Sequence, residues 1–203
     1  DYDKNRLNII DAKDVITNDD TPTTAIRTKK ESSLVKAFDA LNHDEDAGGF
    51  VSAGSTGAVL VGAYLKVGRI KGVTRPALAP VLPTLKGNGV VLCDCGANVE
   101  CTPEYLLQFA FMGSFYSKHI LGVAEPKVGL LSNGTEPTKG GELQKEAFKL
   151  LQKASDAGRI NFIGNVEAKE AVLAELRQTF RPEFLNRVDD AIVFRRLTPA
   201  DVR

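Results

Sequence analysis

Ser52 to Gly57, in the run SAGSTGA, place a Gly/Ser/Thr turn directly before a helix of small residues. Such a turn is a natural anion cradle, because free backbone N–H groups and the helix dipole point the same way. Ser52, Gly54, Ser55, Thr56 and Gly57 are the candidate phosphate contacts. The competing reading is a tight strand-to-helix turn packed close to a sheet, since glycine motifs are weakly specific. Arg69, Lys71 and Arg75 follow within seven positions. Arginine offers a planar fork suited to phosphate, whereas lysine acts as a point charge. These three cations read either as contacts for phosphate or an acidic carrier, or as an ordinary solvated loop.

Further polar constellations lie where apolar runs end. Asp94 and Asn98, in DCGAN, follow the run Gly89 to Cys93. Ligands of open α/β sheets collect at the carboxyl ends of strands. The alternative is that both residues cap their loop and the following helix. Asn133, Gly134 and Lys139 occupy a polar loop after the apolar run Lys127 to Ser132 and before a helix. Lys139 is placed to hold a phosphoryl oxygen; the plainer reading is a helix-entry loop with Glu142 in the first turn. Asn165 and Glu167, in GNVEA, follow another strand and extend this set of loops.

Cys93, Cys95 and Cys101 could suggest zinc. Positions 93 and 95 would share one side of a strand, a poor ligand loop, and no histidine is close in sequence. They read as free thiols. His43 and His119 are isolated, and neither has a neighbouring nucleophile, so no triad is assigned.

Together, the motifs SAGSTGA, GRIKG and RPALAP resemble the core of the bacterial phosphate acyltransferase family of phospholipid synthesis. So do LCDCGANVECTPEYLLQFAFMGSFYS, VGLLSNGTEPTKGGELQKEA and INFIGNVEA. The order and spacing are those of the family over roughly residues 7 to 169. Ser55 stands where the family usually has asparagine, Thr135 replaces an acid and Gly141 an asparagine. The resemblance implies a three-layer α/β/α fold with a mostly parallel sheet, of the isocitrate/isopropylmalate dehydrogenase type and truncated here. It implies transfer of a fatty acyl group from acyl-carrier protein to inorganic phosphate. Asp94, Asn98 and Lys139 are then the catalytic candidates, and Arg69 and Lys71 the candidates for engaging the acidic carrier. It implies no metal or organic cofactor. It also implies a homodimer in the cytoplasm, peripheral to the inner face of the membrane. Two other readings differ in class: a folded module of this architecture without turnover, and an ATPase interaction fragment.

The last reading comes from the tail. Residues 171–203, AVLAELRQTFRPEFLNRVDDAIVFRRLTPADVR, resemble part of a Clp-type disaggregase ATPase, with Arg187 at the place of its trans-acting finger. No G-x-x-x-x-G-K-[ST] loop accompanies it. The chain therefore reads as a chimera, with an acyltransferase-like core over 1–170 and this tail. Residues 191–194 are a candidate substitute strand. The family's AMGGD-like and DGF-x-GN motifs are absent, and the chain opens on Asp1, so it reads as a fragment or processed product.

The elements that must position these groups follow from periodicity. Leu7 to Ile10, Phe50 to Ala53, Gly89 to Cys93, Lys127 to Ser132 and Ile160 to Gly164 read as strands. Ser33 to Leu41, Thr56 to Val67, Thr102 to about His119 and Glu142 to Ala154 read as helices. The run from Asp11 to Glu31 reads as a surface loop. Strands alternating with helices argue for a layered α/β domain.

Composition bounds the partners. The 203 residues are 43% hydrophobic and 26% charged, the balance of a globular chain. Twenty-six basic and 26 acidic side chains cancel, so no global field favours nucleic acid or a membrane surface. No apolar run reaches the length of a membrane span. Three cysteines without a signal-like segment fit a reducing compartment.

Overall fold

A computed structural model describes residues 7–82 and 89–167. Residues 171–203, with Arg187 and the strand expected at 191–194, lie outside the described residues. The chain forms two compact units, Asp1–Pro76 and Ala77–Arg203.

The first unit is helical where described. Helix α1, Pro22–Thr28, lies inside the stretch expected to be a surface loop. Pro22 at the first helical position presets the backbone angle, and Ala25 and Ile26 are buried, so packing overrides a polar composition. Helix α2, Ser33–His43, is capped by Ser32, whose hydroxyl accepts from the Val35 N–H at 3.4 Å. Val35 and Phe38 are its buried face. Helix α3, Thr56–Gly62, runs into a π-helical turn at Ala63–Val67, where an uninterrupted helix is expected from sequence. Phe38 packs edge-on against Phe50 with ring centroids 4.6 Å apart. It also lies so close to Gly62 that a Cβ there would overlap the ring. Leu7–Ile10 and Phe50–Ala53 form no strand. Period-two apolar runs need a pairing neighbour, and among the described residues neither has one.

The second unit is α/β. Strands β1, Val81–Leu82, and β2, Val90–Val91, pair antiparallel. The run Gly89 to Cys93 thus yields a short strand with Val90 51% exposed, not one covered on both faces. Helix α4, Pro103–His119, starts as its sequence demands: Thr102 accepts from the Tyr105 N–H, Pro103 is first and Glu104 lies in the first turn. Strands β3, Lys127–Ser132, and β4, Asn161–Glu167, pair parallel. Helix α5, Glu142–Asp156, covers them. Leu130, Ala147, Leu151, Ala154, Ile160 and Phe162 form the core, with Leu106, Leu107, Phe111 and Phe148 packed against it. Phe148 meets Phe162 edge-on at 5.1 Å.

One irregularity in β4 matters for the site. Val128 pairs with Phe162 but Leu130 pairs with Asn165, so β4 carries an extra residue there. Gly164, at φ +94°, supplies the left-handed backbone that the bulge needs. Strict alternation from buried Phe162 would bury position 164 and expose 165. The bulge reverses this, and Asn165 is only 5% exposed.

Candidate functional site

Because β3 and β4 are parallel, both carboxyl ends open at the same edge, with Ser132 opposite Glu167. There the β3–α5 loop meets the N-terminus of a fifteen-residue helix. An open cavity of about 460 Å³ lies between them, lined by Leu131, Ser132, Asn133, Gly140, Gly141 and Gln144.

The loop's shape is held by its backbone. The Glu136 carbonyl accepts from the Lys139 N–H at 3.0 Å and from Asn165 Nδ2 at 2.7 Å. Gly134 is buried beneath Lys139: a Cβ there would come within 2.6 Å of Lys139 Cγ. Gly140 sits at φ +94°, and its Cβ would meet Gln144 Cβ at 2.6 Å. The Gly141 N–H donates to Gln144 Oε1 at 3.0 Å, which fixes the entry into α5. Asn133 and Lys139 are exposed, and Glu167 is half-buried. Thus Asn133, Gly134 and Lys139, expected from sequence, belong to the β3–α5 loop, whereas Asn165 and Glu167, expected in a loop after the strand, lie within β4 itself, beside that loop, because the strand continues to Glu167. Ser132, Gly140 and Gln144 were not singled out from the sequence. The available signals were a hydroxyl at a strand end, a double glycine, and a glutamine at the third position of the helix.

Asp94 and Asn98 engage each other. The Asp94 carboxylate accepts from the N–H groups of Leu78 at 2.7 Å, Ala97 at 3.2 Å and Asn98 at 2.8 Å. It also accepts from Asn98 Nδ2 at 3.1 Å. Burial pushes the Asp94 carboxyl up, but these donors outweigh it and hold the group below its ordinary value. The loop-organising role is therefore directly visible at Asp94. Burial, reinforced by Asp94, pushes the half-buried Cys93 thiol up to about 11, and the same two causes raise Cys101. A raised thiol ionises less readily, so neither is poised as a thiolate nucleophile.

The first unit holds the other candidates. Ser52 Oγ accepts from the Gly54 N–H at 3.1 Å and shapes the turn. Ser55 precedes α3 without a side-chain capping bond, and Thr56 and Gly57 begin the helix. Gly57 lies against Pro22, whose Cγ would be 3.1 Å from a Cβ. Arg69, Lys71 and Arg75 are exposed. The Arg69 guanidinium lies over the Tyr64 ring, 5.0 Å from its centroid, and donates through Nη1 to the Thr74 carbonyl at 2.6 Å. Half of its fork is thus committed to its own loop.

Comparison with known proteins decides the lineage. A family model described as "Fatty acid synthesis protein" matches residues 1–177. The chain belongs to this family. The match continues past residue 170, where the tail was expected to begin. A protein named "Phosphate acyltransferase" in Clostridium novyi (strain NT) is 53% identical over 169 residues, covering 83% of this chain and 49% of that protein. One of the same name in Clostridium acetobutylicum is 48% identical over 170 residues, covering 84% and 50%. A third, in Clostridium botulinum (strain Alaska E43 / Type E3), is 50% identical over 169 residues, covering 83% and 49%. The chain spans about half the length of the curated relatives it matches. Among the described residues, no helix is long and apolar enough to cross a membrane.

Proposed function

We propose that this chain carries the phosphate-handling part of a phosphate acyltransferase that moves a fatty acyl group from acyl-carrier protein to inorganic phosphate. The observation that carries the reading is identity near one half to proteins named "Phosphate acyltransferase", running through the β3–α5 loop. The loop's chemistry agrees with it. The N-terminus of α5 offers oriented backbone N–H groups, and Lys139 adds a cation beside them.

An oxygen of hydrogen phosphate attacks the thioester carbonyl. The carbon–sulfur bond breaks, the acyl–oxygen–phosphorus linkage forms, and the phosphate proton ends on the carrier's thiol. Phosphate is itself the nucleophile, so the protein's part is orientation and stabilisation of the developing oxyanion. Asn133, Gly134, Lys139 and Glu167 hold the phosphate loop in this reading. Ser52, Gly54, Ser55, Thr56 and Gly57 serve a second anion contact, and Arg75 adds charge to it. Arg69 and Lys71 engage the acidic carrier. Asp94 and Asn98 act by shaping their loop, an assignment supported by the four bonds that converge on Asp94. The enzyme works in the cytoplasm, as a homodimer at the inner membrane face.

The test is direct. The full chain is incubated with palmitoyl-acyl-carrier protein and radiolabelled phosphate, and acyl phosphate is trapped. Phosphate-dependent product that disappears in Lys139→Ala supports the reading. Absence of product at high protein concentration rejects turnover by this chain and favours a folded module without activity.

A further inference from the structure

Asn165 is the one buried side chain among the described residues with a polar atom lacking a partner: its Oδ1 meets no donor. The orientation of the amide is not arbitrary. The atom facing it at 2.7 Å is the Glu136 carbonyl oxygen, which can only accept, so the NH₂ group must point there and Oδ1 away. Burying an acceptor without a donor is destabilising. A leucine of similar volume would avoid that cost. The fold nevertheless turns this side chain inward by a β-bulge with glycine at positive φ, the kind of device that re-aims side chains beside functional sites.

The placement has one clear consequence. Asn165, at the end of β4, reaches across twenty-nine positions to the middle of the β3–α5 loop. It shares the Glu136 carbonyl with the Lys139 N–H, and so fixes the turn that carries Lys139 over Gly134. It is 5% exposed and is not among the residues that line the cavity, so its amide is placed behind the loop.

We infer that Asn165 is a positioning residue: it clamps the β3–α5 loop in its anion-receiving shape, and the clamp, made at the cost of an unsatisfied oxygen, serves the ligand and not the fold. This changes the role expected from sequence, where Asn165 was grouped with the phosphate contacts. The ligand half of the inference rests on the phosphate reading above. The clamp half does not.

The experiment compares the 203-residue chain with its Asn165→Leu variant in three measurements: thermal melting, site-resolved amide hydrogen exchange, and titration with inorganic phosphate. Leucine removes both the clamp and the orphaned oxygen. The expected result is a melting temperature equal to or above that of the parent. The Lys139 amide should exchange about tenfold faster while β3, β4 and α5 keep their protection, and phosphate affinity should fall about tenfold, the effect of ~1.4 kcal/mol. Unchanged exchange at Lys139 overturns the clamp. So does a uniform rise along β3, β4 and α5 with a lower melting temperature, since that is a residue serving the fold. Faster exchange at Lys139 with parental phosphate affinity overturns the link to the ligand. If the parent chain itself ignores phosphate, the phosphate reading fails, and the exchange data still judge the clamp. Should Asn165→Leu not fold, Asn165→Ala removes the same amide and is judged on the Lys139 amide relative to β3, β4 and α5 and on phosphate affinity, since the cavity it leaves lowers the melting temperature by itself.

Discussion

The Ser52–Gly57 turn and the Asn133–Gly141 loop use the same vocabulary of glycine, hydroxyl and nearby cation before a helix, but they are built differently. The second precedes a fifteen-residue helix, is anchored at Glu136 by two donors, and contains Gly140, whose positive φ and closeness to Gln144 disfavour any Cβ. The first precedes a seven-residue helix that passes into a π turn, and Ser55 makes no capping bond. Pre-organisation, not composition, separates them, and a pre-organised loop loses less entropy on receiving an anion.

Several substitutions probe this contrast. The largest effect belongs to the packing beneath α5. Leu151→Ala should cost ~2–5 kcal/mol in denaturant unfolding, because it empties a site that is 1% exposed. A cost below ~1 kcal/mol would mean that the helix is not seated as described. Next comes Gly140→Ala, which forces a Cβ into positive φ and against Gln144. It should cost ~1–3 kcal/mol and weaken phosphate binding by calorimetry. Unaltered binding would show that the loop's shape is irrelevant to the ligand.

Smaller effects compare the caps. Ser32→Ala removes a capping hydroxyl and should cost ~1 kcal/mol. Ser55→Ala removes none and should stay within ~0.5 kcal/mol. Equal costs in thermal melts would erase the distinction between the two helix starts. The smallest effect is electrostatic. Asp94 is held below its ordinary 3.8 in the fold, so its contribution is present above that value. It is lost as pH falls through the lower folded value. The stability difference between the parent and Asp94→Asn should therefore be constant near neutrality and shrink only in strong acid. A difference that shrinks already near pH 6 would contradict the four-donor arrangement.

Much of this could be read from the residues. Thr102-Pro103-Glu104 announces α4 because the cap, the proline and the acid act within one turn, and local signals suffice there. The apolar run before Asn133 likewise announces β3. Helix α1 was hidden because Ala25 and Ile26 are only two apolar residues in a polar stretch, and their burial is a tertiary fact. The Phe50–Ala53 run has strand character but no pairing neighbour among the described residues, which no single segment can reveal. At the site, Asn133 and Lys139 are legible as polar groups after a strand. The inward turn of Asn165 is not, because it depends on a one-residue bulge that alternation alone would place on the opposite face. The bond of Asp94 to Leu78 joins residues sixteen apart, so sequence could only leave its capping and site roles side by side.

On the function proposed above, the β3–α5 loop and not the Ser52–Gly57 turn is the primary anion site. The most direct test is titration of the isotope-labelled full chain with inorganic phosphate, followed amide by amide in NMR spectra. The account predicts saturable shifts concentrated between Asn133 and Gln144. Shifts confined to Ser55–Gly57 and Arg69–Arg75, or no saturable shift at all, would contradict it.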